Sequence, residues 1–229
     1  CAPELVRFVI ETMGARDFCI LYGSTEVLGA TFTAPGDPLE QRLGSVGRVL
    51  PGYEAKIIDP KTGENLPANT HGELCIRGSS IMTGYYNMPE QTRKALDPEG
   101  WLHSGDLAGM DEKGFVTITG RIKDLIIRGG VNIYPAEIEA FLQTHPQVAD
   151  AQVVGVPCEY YGEEPACFIR LKRGETVSSL ELKKYCRERI AIHKVPVCFF
   201  FVDEYPLTAS GKVQKFKLRE LAVQQLAEQ

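Results

Sequence analysis

Four polar, glycine-containing segments interrupt the apolar runs of this chain: LYGSTE at 21–26, GWLHSGDL at 100–107, GRIKDLIIRGGVNIYPAEIE at 120–139 and YPLTASGK at 205–212. They hold the residue types that could do chemistry. Glu26 and Asp106 are carboxylates, suited to a hard cation or to accepting hydrogen bonds from hydroxyls. Lys212 is a cation following Ser210-Gly211, and Gly129-Gly130 is backbone without Cβ, which another group can approach closely. Each has an ordinary alternative. Tyr22 is then a strand-end core aromatic, Glu26 a solvated carboxylate, Asp106 a turn-former and Lys212 a loop lysine in water. Gly129-Gly130 then only turns the chain toward a helix at Pro135. Lys212 is not the lysine of a Walker A loop, because Pro206 stands where the leading glycine belongs and Val213 where Ser or Thr belongs. The sequence has no G-x-S-x-G elbow and no H-E-x-x-H helix, which excludes classical hydrolases and zincins.

The elements that must position these residues differ along the chain. Residues 4–13 have a helix-like pattern, and a short strand ends at Tyr22. Short strands between Gly, Pro and Asn turns are then predicted at Tyr53–Asp59, Gly72–Arg77, Leu107–Met110 and Phe115–Thr119, the last two joined by a hairpin at Asp111–Gly114. A helix fits Pro89–Leu96, with proline at its first position. Beyond residue 122, strand and helix patterns alternate over longer spans. Strands are expected at Asp124–Arg128, Val148–Val156, Pro165–Leu171 and Phe199–Val202, and a helix at Pro135–Leu142. Ser178-Ser-Leu-Glu181 is a capping box opening a helix that runs to about Ile190, and a terminal amphipathic helix spans Lys215–Leu226 with apolar Phe216, Leu218, Leu221 and Leu226.

Composition sets the outer bounds. The 229 residues are 44% apolar and 24% charged, the make-up of a folded chain of one large or two modest domains. The longest apolar run, Val195–Val202, contains Pro196 and is far short of a membrane span, so no transmembrane segment is expected. A net charge of −5 excludes a broad basic surface for nucleic-acid binding. All the net acidity lies in residues 1–122, with 11 Lys and Arg against 16 Asp and Glu; residues 123–229 carry 14 of each. The seven cysteines form no C-x-x-C pair, and Cys75 and Cys167 sit in apolar runs as small buried hydrophobes. Reduced, structural thiols in an intracellular protein are the expectation.

Together and in this order, the four segments closely resemble the adenylate-forming enzymes: acyl-CoA synthetases, adenylation domains and luciferases. The likeness extends to IAIHKVP at 190–196 and VQKFKLRE at 213–220, and RGG, NIYP and EIE within 128–139 are most like the medium-chain fatty acyl-CoA ligases. The resemblance implies a mixed α+β fold. Residues 1–122 would be the C-terminal part of the AMP-binding N-terminal domain, with a distorted small β-barrel-like subdomain. Residues 123–229 would be a mobile C-terminal α+β domain with a central sheet flanked by helices. It implies activation of a fatty or other hydrophobic carboxylic acid with ATP and Mg²⁺ as acyl-AMP, followed by transfer to coenzyme A. Glu26 then holds Mg²⁺, Thr25 (with Gly23 and Ser24 beside it) binds phosphate oxygens, and Tyr22 stacks on adenine. Asp106 accepts the ribose hydroxyls, Arg121 also reaches the ribose, and Lys212 touches the substrate carboxylate as a positioned charge. Lys123 is the hinge about which the small domain swings, and Gly129-Gly130 lie beside the thiol tunnel.

The chain also departs from the family. No Ser/Thr/Gly-rich phosphate loop precedes Tyr22, and full-length members are more than twice as long. A fragment lacking the N-terminal part of its parent is therefore expected, inactive in adenylation by itself. The parent is expected in the cytoplasm or, in a eukaryote, the mitochondrial matrix. Two other functions compete: an adenylation domain that loads an amino or aryl acid onto a carrier protein, and a non-catalytic nucleotide-binding relative. The former usually has a GYR-like sequence where Gly130-Val-Asn132 stands here.

Overall fold

A computed structural model describes residues 6–15 and 17–227. The chain divides into two compact units, Cys1–Ile122 and Lys123–Gln229. The class is mixed α+β in both. Among the described residues no helix is long and apolar enough to cross a membrane.

Among the described residues, the first unit holds two antiparallel sheets. One has β1 (Leu21–Tyr22), β2 (Thr31–Phe32) and β3 (Arg48–Val49) in sequence order, and the other has β4 (Tyr53–Ile58), β5 (His71–Gly78), β6 (Leu102–Met110) and β7 (Val116–Arg121), also in order. The two are tied by backbone bonds from Val46 N–H to Val116 O and from Val116 N–H to Gly47 O, at 2.8 and 2.9 Å. Helices α1 (Leu39–Gly44) and α2 (Pro89–Ala95) are short, and α2 has its proline in the first turn, where a missing N–H costs nothing. The core is the inner row of the larger sheet, with Ile57, Leu74, Ile76, Leu102, Ala108 and Val116 buried together with Val27 and Ala30. The β6–β7 connector is built as its residues predict. Asp111 Oδ1 accepts from the N–H groups of Lys113 and Phe115 at 2.9 and 2.8 Å, and Gly114 takes a φ of 81°.

In the second unit β8 (Ile126–Arg128), β9 (Val131–Ile133), β10 (Val148–Cys158), β11 (Gly162–Leu171) and β12 (Phe199–Phe201) form one sheet in the order β10-β11-β8-β9, with β12 parallel to β11. Successive residues of β10 and β11 supply opposite cores. Ala151, Val153, Cys167 and Ile169 face α3 (Pro135–Gln143) and α4 (Ser179–Arg187) through Ile138, Leu142, Leu182 and Cys186. Val154, Val156, Ala166 and Phe168 face Leu218 and Ala222 of α5 (Lys215–Ala227). A sheet covered on both faces needs nearly continuous apolar strands, and these have them. The capping box of α4 is complete: Ser178 Oγ accepts from Glu181 N–H, and Glu181 Oε2 accepts from Ser178 N–H at 2.8 Å.

Several sequence expectations are corrected. Of the helix expected over 4–13, residues 4 and 5 lie outside the described residues; the rest includes one π-helical turn, Phe8–Thr12. The strand expected from Leu107 begins at Leu102, so GWLHSGDL is mostly strand. Ile122–Asp124 is a 3₁₀ turn, which delays β8 to Ile126 and puts Lys123 in that turn. On α5, Phe216 and Leu221 are exposed, and the inward line is Leu218, Ala222 and Leu226 at i, i+4 spacing. Cys75, Cys167 and Cys186 are fully buried, and burial pushes the Cys75 thiol up to about 12 and that of Cys186 to about 11. Such thiols stay protonated and unreactive. Cys1 lies outside the described residues.

Candidate active site

Beyond β1 the chain folds back on itself. The N–H groups of Val27 and Leu28 both donate to Ser24 O, at 3.3 and 2.7 Å, and Ala30 N–H donates to Tyr22 O at 2.9 Å. Closing this loop forces Leu28 to a φ of 57°, unusual for a branched residue. It also leaves no room at Gly23, where a Cβ would lie 1.6 Å from Leu28 O. Gly23 is therefore required by packing within the loop that presents Ser24, Thr25 and Glu26.

Three of the expected residues meet at the edge of that loop. Tyr22 Oη donates to Asp106 Oδ2 at 2.6 Å, and Arg121 Nε lies 3.0 Å from Asp106 Oδ1. Asp106 and Arg121 are direct partners across β6 and β7, so strand register sets the second contact. Burial, and then the hydrogen bond to the Asp106 carboxylate, hold the Tyr22 phenol well above its ordinary range. Asp106 is 9% exposed, yet a carboxylate offers about four lone-pair sites, of which the Tyr22 hydroxyl takes one while Arg121 pairs with it as a charge. Vicinal hydroxyls fit the remainder.

Glu26 is half-buried and fits an oxygen-ligated cation. Tyr85 Oη donates to its Oε1 at 2.8 Å, and its N–H donates to Ser24 Oγ at 3.2 Å. Hydrogen bonding by Ser24, reinforced by Tyr85, holds the carboxyl below its ordinary range, so it is ionised and ready for a divalent ion. Ser24 and Thr25 are exposed beside it.

The remaining expected residues lie in the second unit. Gly129 and Gly130 are the two central residues of a β8–β9 hairpin, with φ of 55° and 83° and Arg128 paired to Val131. They therefore turn one strand into the next, rather than leading directly into the helix at Pro135. Gly129 N–H donates to Tyr161 O at 2.8 Å, and the Arg128 guanidinium lies 3.7 Å from the centroid of the Tyr161 ring. Lys212 is exposed in a loop closed by Thr208, which accepts from Lys212 N–H through Oγ1 at 3.0 Å and donates its own N–H to Lys212 O at 2.8 Å.

Sequence reasoning passed over Glu73, Tyr85, His103 and Ser104, all of which support these groups. Glu73 carried a signal: it is an acidic residue inside the apolar run of β5, and it is 8% exposed. Glu73, Cys75 and His103 bring potential ligand atoms within 4.8 Å of one another. Glu73 Oε2 and His103 Nδ1 already bond to each other at 3.0 Å.

Comparison with known proteins bears on the chain as a whole. Residues 1–86 match the family model of the AMP-binding enzymes, and residues 137–212 match that of the AMP-binding enzyme C-terminal domain. YngI of Bacillus subtilis is 51% identical over 225 residues, which are 98% of this chain and 41% of that protein. The medium-chain acyl-CoA ligase ACSF2, mitochondrial, of Rattus norvegicus is 50% identical over 225 residues, 98% of this chain and 37% of that one. The structure of o-succinylbenzoate CoA synthetase (MenE) from Bacillus subtilis in complex with the acyl-adenylate intermediate OSB-AMP superposes with a TM-score of 0.86 at 35% identity, over 96% of this chain and 44% of that one. The chain thus spans less than half the length of each. With both family models matched in order and its fold shared, the chain belongs to the adenylate-forming, AMP-binding enzyme family.

Proposed function

We propose that this chain is part of an AMP-forming acid–CoA ligase, acting on a fatty or other hydrophobic carboxylic acid. The carrying observation is the Asp106 carboxylate, held by Tyr22 and Arg121 with acceptor capacity to spare. Its charge and two oxygens suit paired ribose hydroxyls, and the Tyr22 ring supplies an apolar face for a base. Glu26, with Ser24 and Thr25 beside it, would hold Mg²⁺, which when bound neutralises phosphate charge. Lys212 supplies a cation against the repulsion between a substrate carboxylate and an α-phosphate, an effect strengthened where water is excluded. It acts as a positioned charge and moves no proton. Gly129 and Gly130 offer bare backbone to the approach of the coenzyme A thiol arm. Residues 1–122 are assigned to the end of the AMP-binding domain, and residues 123–229 to a C-terminal domain that moves about Lys123.

The activity is assigned to an enzyme of the relatives' length that contains this chain. The 229-residue chain alone is expected to give no ATP–pyrophosphate exchange. In the longer enzyme, Lys212→Ala is expected to cut acid-dependent exchange by roughly 10²–10³, the usual cost of one preorganised electrostatic group. Thioester formation from preformed acyl-adenylate should survive better. Exchange within a few-fold of wild type would overturn the role of Lys212, and loading of a carrier protein in place of free CoA would overturn the ligase assignment.

A further inference from the structure

The strand bearing Asp106 does not run evenly past its neighbour. Pairing jumps from Glu73 opposite Leu107 to Cys75 opposite His103, so Ser104, Gly105 and Asp106 stand against Leu74 alone. Such a bulge re-aims a side chain and must be held, because its backbone has left the ladder. Here side chains hold it. Glu73 Oε1 accepts from Gly105 N–H at 3.1 Å, and Gly105 takes a φ of 68°. Ser104 Oγ donates to Leu74 O at 2.7 Å and accepts from Asp106 N–H at 3.1 Å. The other oxygen of Glu73 meets His103 Nδ1 at 3.0 Å, and His103 Nε2 lies 3.9 Å from Asp97 Oδ2. A carboxylate 8% exposed in an apolar strand is costly unless paired; its partners are the bulge backbone and the residue where the bulge begins.

We propose that Glu73 is a positioning residue, with His103 as its partner, and that the pair fixes the bulge and thereby the aim of Asp106 at the nucleotide ribose. The proposal rests on Asp106 as the ribose acceptor. Neither Glu73 nor His103 need touch the nucleotide. Their loss would act on how the hydroxyls are read, beyond any effect on folding.

The test uses an enzyme of the relatives' length containing this chain, with kcat/KM measured in pyrophosphate exchange for ATP and for 2′-deoxy-ATP. Wild type should prefer ATP. Glu73→Ala should lower that preference about tenfold or more, the worth of one hydrogen bond to a charged group. A loss of folded protein lowers both rates equally and leaves the ratio alone. If Glu73→Ala does not fold, the His103 variants carry the test. His103→Asn keeps a donor near the Nδ1 position and should retain the preference, whereas His103→Leu should lose it. A wild type that ignores the 2′-hydroxyl sinks the ribose assignment itself. One that discriminates, with unchanged ratios in Glu73→Ala and His103→Leu, sinks the positioning role alone. Stoichiometric zinc binding to wild type that disappears in His103→Leu would also overturn it, since Glu73, Cys75 and His103 would then be ligands.

Discussion

Tyr22→Phe separates the two jobs given to Tyr22. The substitution keeps the aromatic face and removes the hydroxyl that donates to Asp106 at 2.6 Å. A hydrogen bond to a charged acceptor contributes about 1.5–3 kcal/mol. Asp106 keeps Arg121 at 3.0 Å, so the lower part of that range, about 1.5 kcal/mol, is expected. With a urea slope of about 1–3 kcal/mol/M, the unfolding midpoint falls by roughly 0.5–1.5 M. The assay has a built-in probe, because the single tryptophan, Trp101, is 8% exposed in the same unit, with the cations of Lys56 and Arg77 within 4.5 Å of its ring centroid. Its fluorescence therefore follows the unit that contains the bond. The pH dependence gives an independent sign. The folded-state phenol lies above its ordinary value, so its contribution is complete below about pH 10 and is lost as pH rises toward the folded value. The stability gap between wild type and Tyr22→Phe should thus narrow on the alkaline side. A double-mutant cycle with Asp106→Asn should return a coupling of about 1–2 kcal/mol. A coupling near zero, or a gap that widens with pH, would refute the assignment of this bond.

Other perturbations reach further into the two units. Ser178→Ala removes one half of a complete capping box and should cost about 1 kcal/mol, with faster amide exchange in the first turn of α4; unchanged exchange there would count against it. Gly130→Ala places a Cβ at a φ of 83° in a two-residue hairpin and should destabilise by about 1–2 kcal/mol, read as a lower thermal midpoint. Tyr85→Phe removes a donor that keeps the Glu26 carboxyl low, so a carbon-detected NMR titration should show that carboxyl protonating at higher pH than in wild type; an unchanged or lower midpoint would refute the contact.

Local signals were the legible part of this fold. The capping box is complete within four residues, and the Asp111–Gly114 hairpin needs only its own side chain and glycine. Both were readable because cause and effect lie in one turn. The line of α5 was misread because small Ala222, and not the larger Phe216 or Leu221, meets Phe168 and Val154 across the sheet face. Which side of a helix turns inward is settled by the sheet beneath it, and a helical pattern with apolar residues on two sides leaves that open. The extent of β6 was missed for a related reason: Gly105 and Asp106 look like a turn, yet β5 pairs with His103 before them and Leu107 after them, and β7 pairs Arg121 with Asp106 itself.

The candidate site repeats that contrast inside a single motif. In GWLHSGDL, only Asp106 is given a ligand to touch. Trp101 and Leu102 fill the core, Ser104 ties the bulge to Leu74, His103 meets Glu73, and Gly105 supplies the left-handed φ that lets its N–H reach Glu73 Oε1. The motif sets these residues side by side without telling their tasks apart, although a carboxylate proposed to accept from a ligand needs its backbone held to within a fraction of an ångström. Glu73 shows only as an acidic residue in an apolar run; it stands 32 positions before Gly105, and nothing but the pairing of β5 with β6 joins it to the motif. Residues that touch a ligand can be picked out by type, since few side chains suit the task. Residues that aim them are tied to the site by register, and only the folded sheet shows which they are.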